Sequence, residues 1–188
     1  VTPQTLSSME QHITASAKLL PQSRDFSVIG YGCTSASSII GSAKISELIK
    51  RGCNTRKVTN PLLAATEYAK YLGVSKLALL SPYIEEVNVP LRKAFEKTSL
   101  SIEVFGTFGE EKEEKVARIS ENSITEAAIS LGQSSSIEAV FISCTNLRTF
   151  NCLKNISKKI NKPVFSSNQS LAWHMKILSS QNLEENIT

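Results

Sequence analysis

Cys33 and Cys144 stand in the same setting twice over. The first follows Ser27-Val28-Ile29-Gly30-Tyr31-Gly32 and precedes Thr34-Ser35; the second follows Ala139-Val140-Phe141-Ile142-Ser143 and precedes Thr145-Asn146. Each is a short apolar run of strand type, then Cys-Thr, then a polar residue that can open a helix. The match runs on, to Val58-Thr59-Asn60 after the first thiol and Val164-Phe165-Ser166-Ser167-Asn168 after the second. A duplicated lobe that ends one strand in each half with a thiol can set two thiols on opposite walls of one cleft. Two opposed thiols can remove a proton from one face of a carbon and return one on the other, as a general base and acid pair.

Each candidate also has a plainer role. A thiol entering a helix N-terminus has its thiolate stabilised by the positive helix end and its free amides, yet cysteine is also a common core residue. Two matched cysteines, each followed by Thr, favour chemistry. Thr34, Ser35, Thr145 and Asn146 can cap the helices that follow or donate to a carboxylate held at the helix end. Asn60 and Asn168 face the same choice. Tyr83, after Ser81-Pro82, is a rim aromatic or a hydroxyl donor to a substrate oxygen. Arg148 could meet a carboxylate or lie on the surface. Cys53 and Cys152 read as core, and Trp173 and His174 as packed residues of the last helix.

The elements that must hold these groups alternate along the chain. A helix opens at Thr2-Pro3 and runs to Leu20. Strands are expected at Phe26–Tyr31, Arg56–Thr59, Lys76–Ser81, Ser101–Phe105, Ala139–Ser143 and Pro163–Phe165. Helices are expected at Ser35–Lys50, Pro61–Tyr71, Val89–Lys97, Ser123–Leu131, Leu153–Ile160 and Ser170–Leu178. Ser81-Pro82-Tyr83 reads as an exit turn, Gly106 to Glu121 as a solvated charged stretch, and the tail from Ser179 as frayed. Strand–helix alternation predicts parallel sheets covered on both faces, with ligands at the carboxyl ends of strands. Cys33, Asn60, Tyr83, Cys144 and Asn168 share that address.

The 188 residues are 41% hydrophobic and 20% charged, as in an ordinary globular protein. The net charge of +4 is scattered, with 21 basic and 17 acidic residues, and no basic stripe carries interleaved aromatics, so nucleic acid is not expected. No apolar run reaches the ~18 residues of a membrane span, and no signal peptide opens the chain. Four cysteines without such a signal suit reduced thiols in a cytoplasm. With two histidines and no Cys-x-x-Cys or Cys/His spacing, no zinc site is expected.

Five runs together carry a resemblance. They are Gly30-Tyr31-Gly32-Cys33-Thr34-Ser35, Val58-Thr59-Asn60-Pro61, Ser81-Pro82-Tyr83-Ile84-Glu85, Ile142 to Thr149, and Ser166 to His174. The chain, from Thr2 to about Met175, resembles the aspartate/glutamate racemase superfamily. Within it the pattern is most similar to the branch of maleate cis-trans isomerase, arylmalonate decarboxylase and the ectoine-utilisation protein A. The resemblance implies two Rossmann-like α/β lobes related by a pseudo-twofold, with a cofactor-free site between them. It implies that racemases use both cysteines as acid and base, that maleate isomerase uses one as a nucleophile, and that arylmalonate decarboxylase keeps only the second as a proton donor. It also implies that Thr34, Ser35 and Tyr83, with amides near Cys144 and Thr145, hold a carboxylate. Family members begin with a further strand and an asparagine-bearing turn, and this sequence starts after that unit. The first lobe is therefore expected to miss its N-terminal strand, through a trimmed N-terminus.

The expectation is two lobes, 1–61 completed by 169–188, and 62–168. The function expected is a cofactor-independent racemase or cis-trans isomerase of a small carboxylate, with ectoine breakdown as a candidate setting. Cys33 and Cys144 are the catalytic pair. Thr34, Ser35, Asn60, Tyr83, Thr145, Asn146 and Asn168 are the substrate-binding groups. A non-catalytic carboxylate binder or sensor is the rival, a redox dithiol a weaker one, and a homodimer stays open.

Overall fold

The computed structural model describes the backbone of residues 1–184 and the side chains of residues 1–180. Two parallel sheets form. In the first, β1 (Phe26–Gly30) pairs with β2 (Thr55–Thr59). In the second, β3 (Lys76–Tyr83), β4 (Ser101–Glu110), β5 (Ala139–Ile142) and β6 (Val164–Ser166) lie in the order β4-β3-β5-β6. The central strands β3 and β5 are buried along almost their whole length, as parallel strands covered on both faces must be. Leu79 sits beside Phe141, and Phe141 beside Phe165. With Phe95, Leu91 and Leu77 these rings make one core. A second core lies on the other face around Leu80, Val140, Ile142 and Ile156.

The duplicated unit is visible in the connections. After β1 come Cys33, α3 (Thr34–Ile40) and α4 (Ser42–Gly52), then β2, Asn60 and α5 (Pro61–Leu72). After β5 come Cys144, α9 (Leu153–Ile160), then β6 and α10 (Ser167–Glu184). Asn60 caps α5, its Oδ1 accepting from the Leu63 amide at 3.1 Å, with Pro61 at the first helical position.

Several elements depart from the sequence reading. The first helix divides into α1 (Pro3–Ser8) and α2 (Glu10–Ala17), opened by the expected Thr2 N-cap, which forms a capping box with Thr5. The long helix after Cys33 breaks at Gly41, whose φ of +88° suits glycine and ends α3. Ser81-Pro82-Tyr83 is not an exit turn: it continues β3, paired with β4 as far as Glu110. Helix α6 (Glu85–Glu96) begins four residues before the expected start, so Pro90 lies inside it. The charged stretch holds the end of β4 and a short helix, α7 (Glu113–Val116). Helix α8 (Glu121–Gly132) follows. The last helix starts at Ser167, so Asn168 lies in its first turn, and it continues through Glu184 where fraying was expected; the rest of the expected tail lies outside the described residues.

Candidate active site

Hydrogen bonds tie the two cysteine turns together. Thr145 donates its hydroxyl to the Gly32 carbonyl at 2.7 Å, next to Cys33. Ser167 Oγ, at the exit of β6, accepts from the Cys144 amide at 3.0 Å and from the Thr34 hydroxyl at 2.9 Å. Asn168 donates to the Thr145 carbonyl at 2.8 Å. Deeper in, the Thr59 hydroxyl and His174 Nδ1 lie 2.9 Å apart. Burial lowers the His174 pKa, opposed by Glu67, so its imidazole is neutral at physiological pH.

A cavity of about 430 Å³ opens where the turns meet. Gly32, Cys33, Tyr83, Glu113, Thr145 and Asn146 line it on one side, and Val1, Thr5, Leu6 and Met9 on the other. Cys33 is half-buried and is the N-cap of α3; its Sγ accepts from the Ala36 amide at 3.4 Å. Cys144 is 4% exposed and stands one layer behind the wall. Its Sγ lies 3.2 Å from the Tyr83 hydroxyl and accepts from the Asn146 amide at 3.3 Å. Its backbone has φ +97°, outside the ordinary range of a side-chain-bearing residue. Such strain persists where surrounding bonds over-determine it, commonly at functional sites.

Glu113 completes the cluster. Its Oε2 accepts from the Tyr83 hydroxyl at 2.9 Å and its Oε1 from the Asn146 side-chain amide at 2.7 Å. A phenol has one proton to give. With that proton on Glu113, the Cys144 S–H is the donor to Tyr83, and a chain runs from thiol to phenol to carboxylate.

The sequence reading expected the helix ends to favour the thiolates; burial outweighs them. Desolvation pushes the Cys144 pKa up to about 11; the Asn146 amide, and the Tyr83 hydroxyl when it turns its proton from Glu113 to a thiolate, act against this rise, and the Glu113 charge adds to it. Cys33 is raised too, by burial first and by Glu113, with the Ala36 and Ser35 amides opposing. Tyr83 is raised strongly by burial and by Cys144. Tyr31 is raised to about 12 by burial and by Cys33. At neutral pH both thiols carry their protons.

The site residues expected from sequence fall in three places. Cys33, Tyr83, Thr145 and Asn146 meet at the cavity, with Cys144 behind Tyr83. Asn168 lines a neighbouring cavity of about 600 Å³ with Arg148, which Thr145 and Asn146 share. Thr34, Ser35 and Asn60 are buried outside both linings, Thr34 bonded to Ser167 and Asn60 serving as a cap. Cys53 and Cys152 are core thiols, bonded to the Ile49 and Thr149 carbonyls. Sequence reasoning missed Glu113 and Ser167. Ser167 stood within a quoted run, but Glu113 had no local signal, since its partners lie on β3 and after β5. Among the described residues no cluster of His, Cys, Asp or Glu could hold a metal ion, and no helix is long and apolar enough to cross a membrane.

Parallel strands ending in paired Cys-Thr turns that meet at one cavity define a class, the aspartate/glutamate racemase-like α/β proteins. Within that class the chain belongs to the arylmalonate decarboxylase family, whose family model matches residues 1–186. No curated protein matches it. Among solved structures, a liganded double mutant of arylmalonate decarboxylase is 22% identical, with a TM-score of 0.84 over 95% of this chain and 77% of that one. A maleate isomerase variant from Pseudomonas putida S16 with maleate is 16% identical, with a TM-score of 0.82 over 93% and 72%. A Nocardia farcinica maleate cis-trans isomerase mutant carrying a covalent succinylcysteine intermediate is 19% identical, with a TM-score of 0.81 over 95% and 75%. At these identities the likeness is one of fold.

Proposed function

We propose that the chain is a cofactor-independent isomerase of a small carboxylate, a racemase or cis-trans isomerase, with Cys33 and Cys144 as its acid and base. The observation that carries the reading is the joining of both cysteine turns around one cavity, Cys33 in its wall and Cys144 behind the Tyr83 hydroxyl. In racemisation one thiol first loses its proton to solvent; the thiolate so formed takes the α-proton, and the C–H pair moves onto the substrate carboxylate as an enediolate. The opposite thiol then gives its proton to the other face, so the two sulfurs exchange protonation states. An enediolate needs donors pre-aimed at its oxygens; Tyr83, Thr145 and Asn146 are proposed for that work, with Thr34, Ser35, Asn60 and Asn168 supporting the turns and the neighbouring cavity. In the isomerisation variant a thiolate adds to the alkene carbon, and rotation about the resulting single bond precedes its loss. The succinylcysteine in the Nocardia farcinica enzyme is an instance of such an adduct on a similar fold.

The proposed lobes are 1–61 with 169–188, and 62–168. Packing of α10 on β1 and β2 supports this, as does the seating of Leu62, Ala65 and Ala69 on the core of Leu79, Phe141 and Phe165; α10 also packs on α5, across the proposed division. A cytoplasmic setting and a part in ectoine breakdown are proposed on the motifs alone.

The test is solvent deuterium uptake. Incubated in D2O with candidate acids, the protein exchanges the substrate α-hydrogen, seen by proton NMR. Cys33→Ala and Cys144→Ala each lower the rate by about 10²–10⁴-fold, the range for a lost acid or base. Undiminished exchange in both variants dismisses the two-thiol mechanism. A second reading, a carboxylate-binding protein without turnover, is favoured by the 4% exposure of Cys144. It predicts ligand-raised melting temperatures with no exchange in any variant.

A further inference from the structure

Glu113 sets an unusual requirement on whatever enters the cavity. Its carboxylate faces the same space as Cys33, Tyr83, Thr145 and Asn146. It takes hydrogen bonds from Tyr83 and Asn146 but has no lysine, arginine or histidine partner among the described residues. Among the described residues no lysine, arginine or histidine side chain lines the cavity. Lys115, on the same short helix, pairs with Glu110 instead. A fixed negative charge in a partly enclosed site repels a second anion and attracts a cation more strongly than it would in open water.

Resting on the small-carboxylate reading above, we propose that Glu113 is the specificity-determining residue and that the substrate is a small carboxylate bearing an ammonium group. The ammonium pairs with the free lone pairs of Glu113, while the substrate carboxylate lies towards Thr145 and the cysteine turns. A dicarboxylate has no cationic end to meet Glu113 and is disfavoured. The cavity of about 430 Å³ admits an acid of four or five carbons with room to spare. This departs from the preference implied by the maleate-bound isomerase, whose ligand is a dicarboxylate.

Titration calorimetry with probes of one carbon count tests it: 2-aminobutyrate, 4-aminobutyrate, butyrate, succinate and maleate. The wild-type protein binds at least one aminobutyrate tenfold or more tighter than succinate or maleate. Glu113→Gln loses that preference by tenfold or more, and Glu113→Asp, which keeps the charge, retains it. Equal wild-type affinity for aminobutyrates and succinate overturns the proposal and leaves the carboxylate reading standing. So does an unchanged ratio in Glu113→Gln. If none of the five acids binds either protein, the carboxylate reading falls and the proposal falls with it. A circular dichroism melt of each variant separates a lost preference from a lost fold, and the Glu113→Asp result stands if Glu113→Gln is unfolded.

Discussion

Cys33 is the one cysteine of the four that reaches the cavity, and its environment fixes how it reacts. Only the thiolate is nucleophilic, so below the thiol pKa the rate of alkylation climbs about tenfold per pH unit. Burial and the Glu113 charge both hold the Cys33 pKa above its ordinary value. Alkylation of Cys33 by iodoacetamide is therefore expected to be slow at pH 7 and to keep rising past pH 8.5, the ordinary thiol pKa being about 8.5. Removing a negative neighbour stabilises the thiolate, so Glu113→Gln lowers the pKa and speeds the reaction at any fixed pH below it. Peptide mass spectrometry reads both effects. Cys53, Cys144 and Cys152, each 5% exposed or less, stay protected. A plateau near pH 7, or slower labelling in Glu113→Gln, would contradict this account of the site's electrostatics.

At the scale of elements, close helix contacts hold the first sheet's cover in place. Gly52 ends α4 directly beneath α2. A Cβ there would lie 2.5 Å from the Thr14 carbonyl oxygen and 2.6 Å from the Ala17 Cβ. Neither is the free end of a flexible side chain, and Thr14 is further tied to the Leu48 carbonyl at 2.9 Å. Gly52→Ala forces α2 off α4 and should cost about 1–3 kcal/mol, as overpacking typically does. Urea unfolding measures it; an unshifted midpoint would mean that α2 slides freely. Contacts of this kind divide what the sequence made legible from what it hid. The apolar runs of β3 and β5 and the helix Leu153–Ile160 were readable because burial pattern and breakers are local signals. The paired Cys-Thr turns were readable for the same reason. The Gly41 break was not, since a glycine tolerated in a helix and one ending it look alike in sequence. Pairing with β3 carries β4 on to Glu110 through residues that locally read as solvated charge. That same extension delivers α7, and so Glu113, to a cavity whose other walls lie far away in the chain.

Across the whole molecule, the two sheets meet through a few buried polar contacts as well as apolar packing. Ser167 is the hub, accepting from Thr34 beside the first sheet and from the Cys144 amide beside the second. Both Thr34 and Ser167 are almost fully buried, at 2% and 0% exposure. Ser167→Ala strands the Thr34 hydroxyl and the Cys144 amide, each a buried donor, and should cost about 1–3 kcal/mol. Thr34→Val removes one donor, keeps the shape and leaves the Cys144 bond intact, so its cost is smaller, about 1 kcal/mol. Because the two side chains share one bond, the double variant cannot lose that bond twice. Its destabilisation falls short of the summed single costs by the coupling between them, expected at about 0.5 kcal/mol or more. Chemical denaturation of the four proteins in the cycle gives the value directly. Deuterium exchange by the same set reports on the chemistry, because the Ser167 hydroxyl that accepts from Thr34 also accepts from the Cys144 amide in its positive-φ turn. Strict additivity would separate the two turns energetically and leave apolar packing alone to align them.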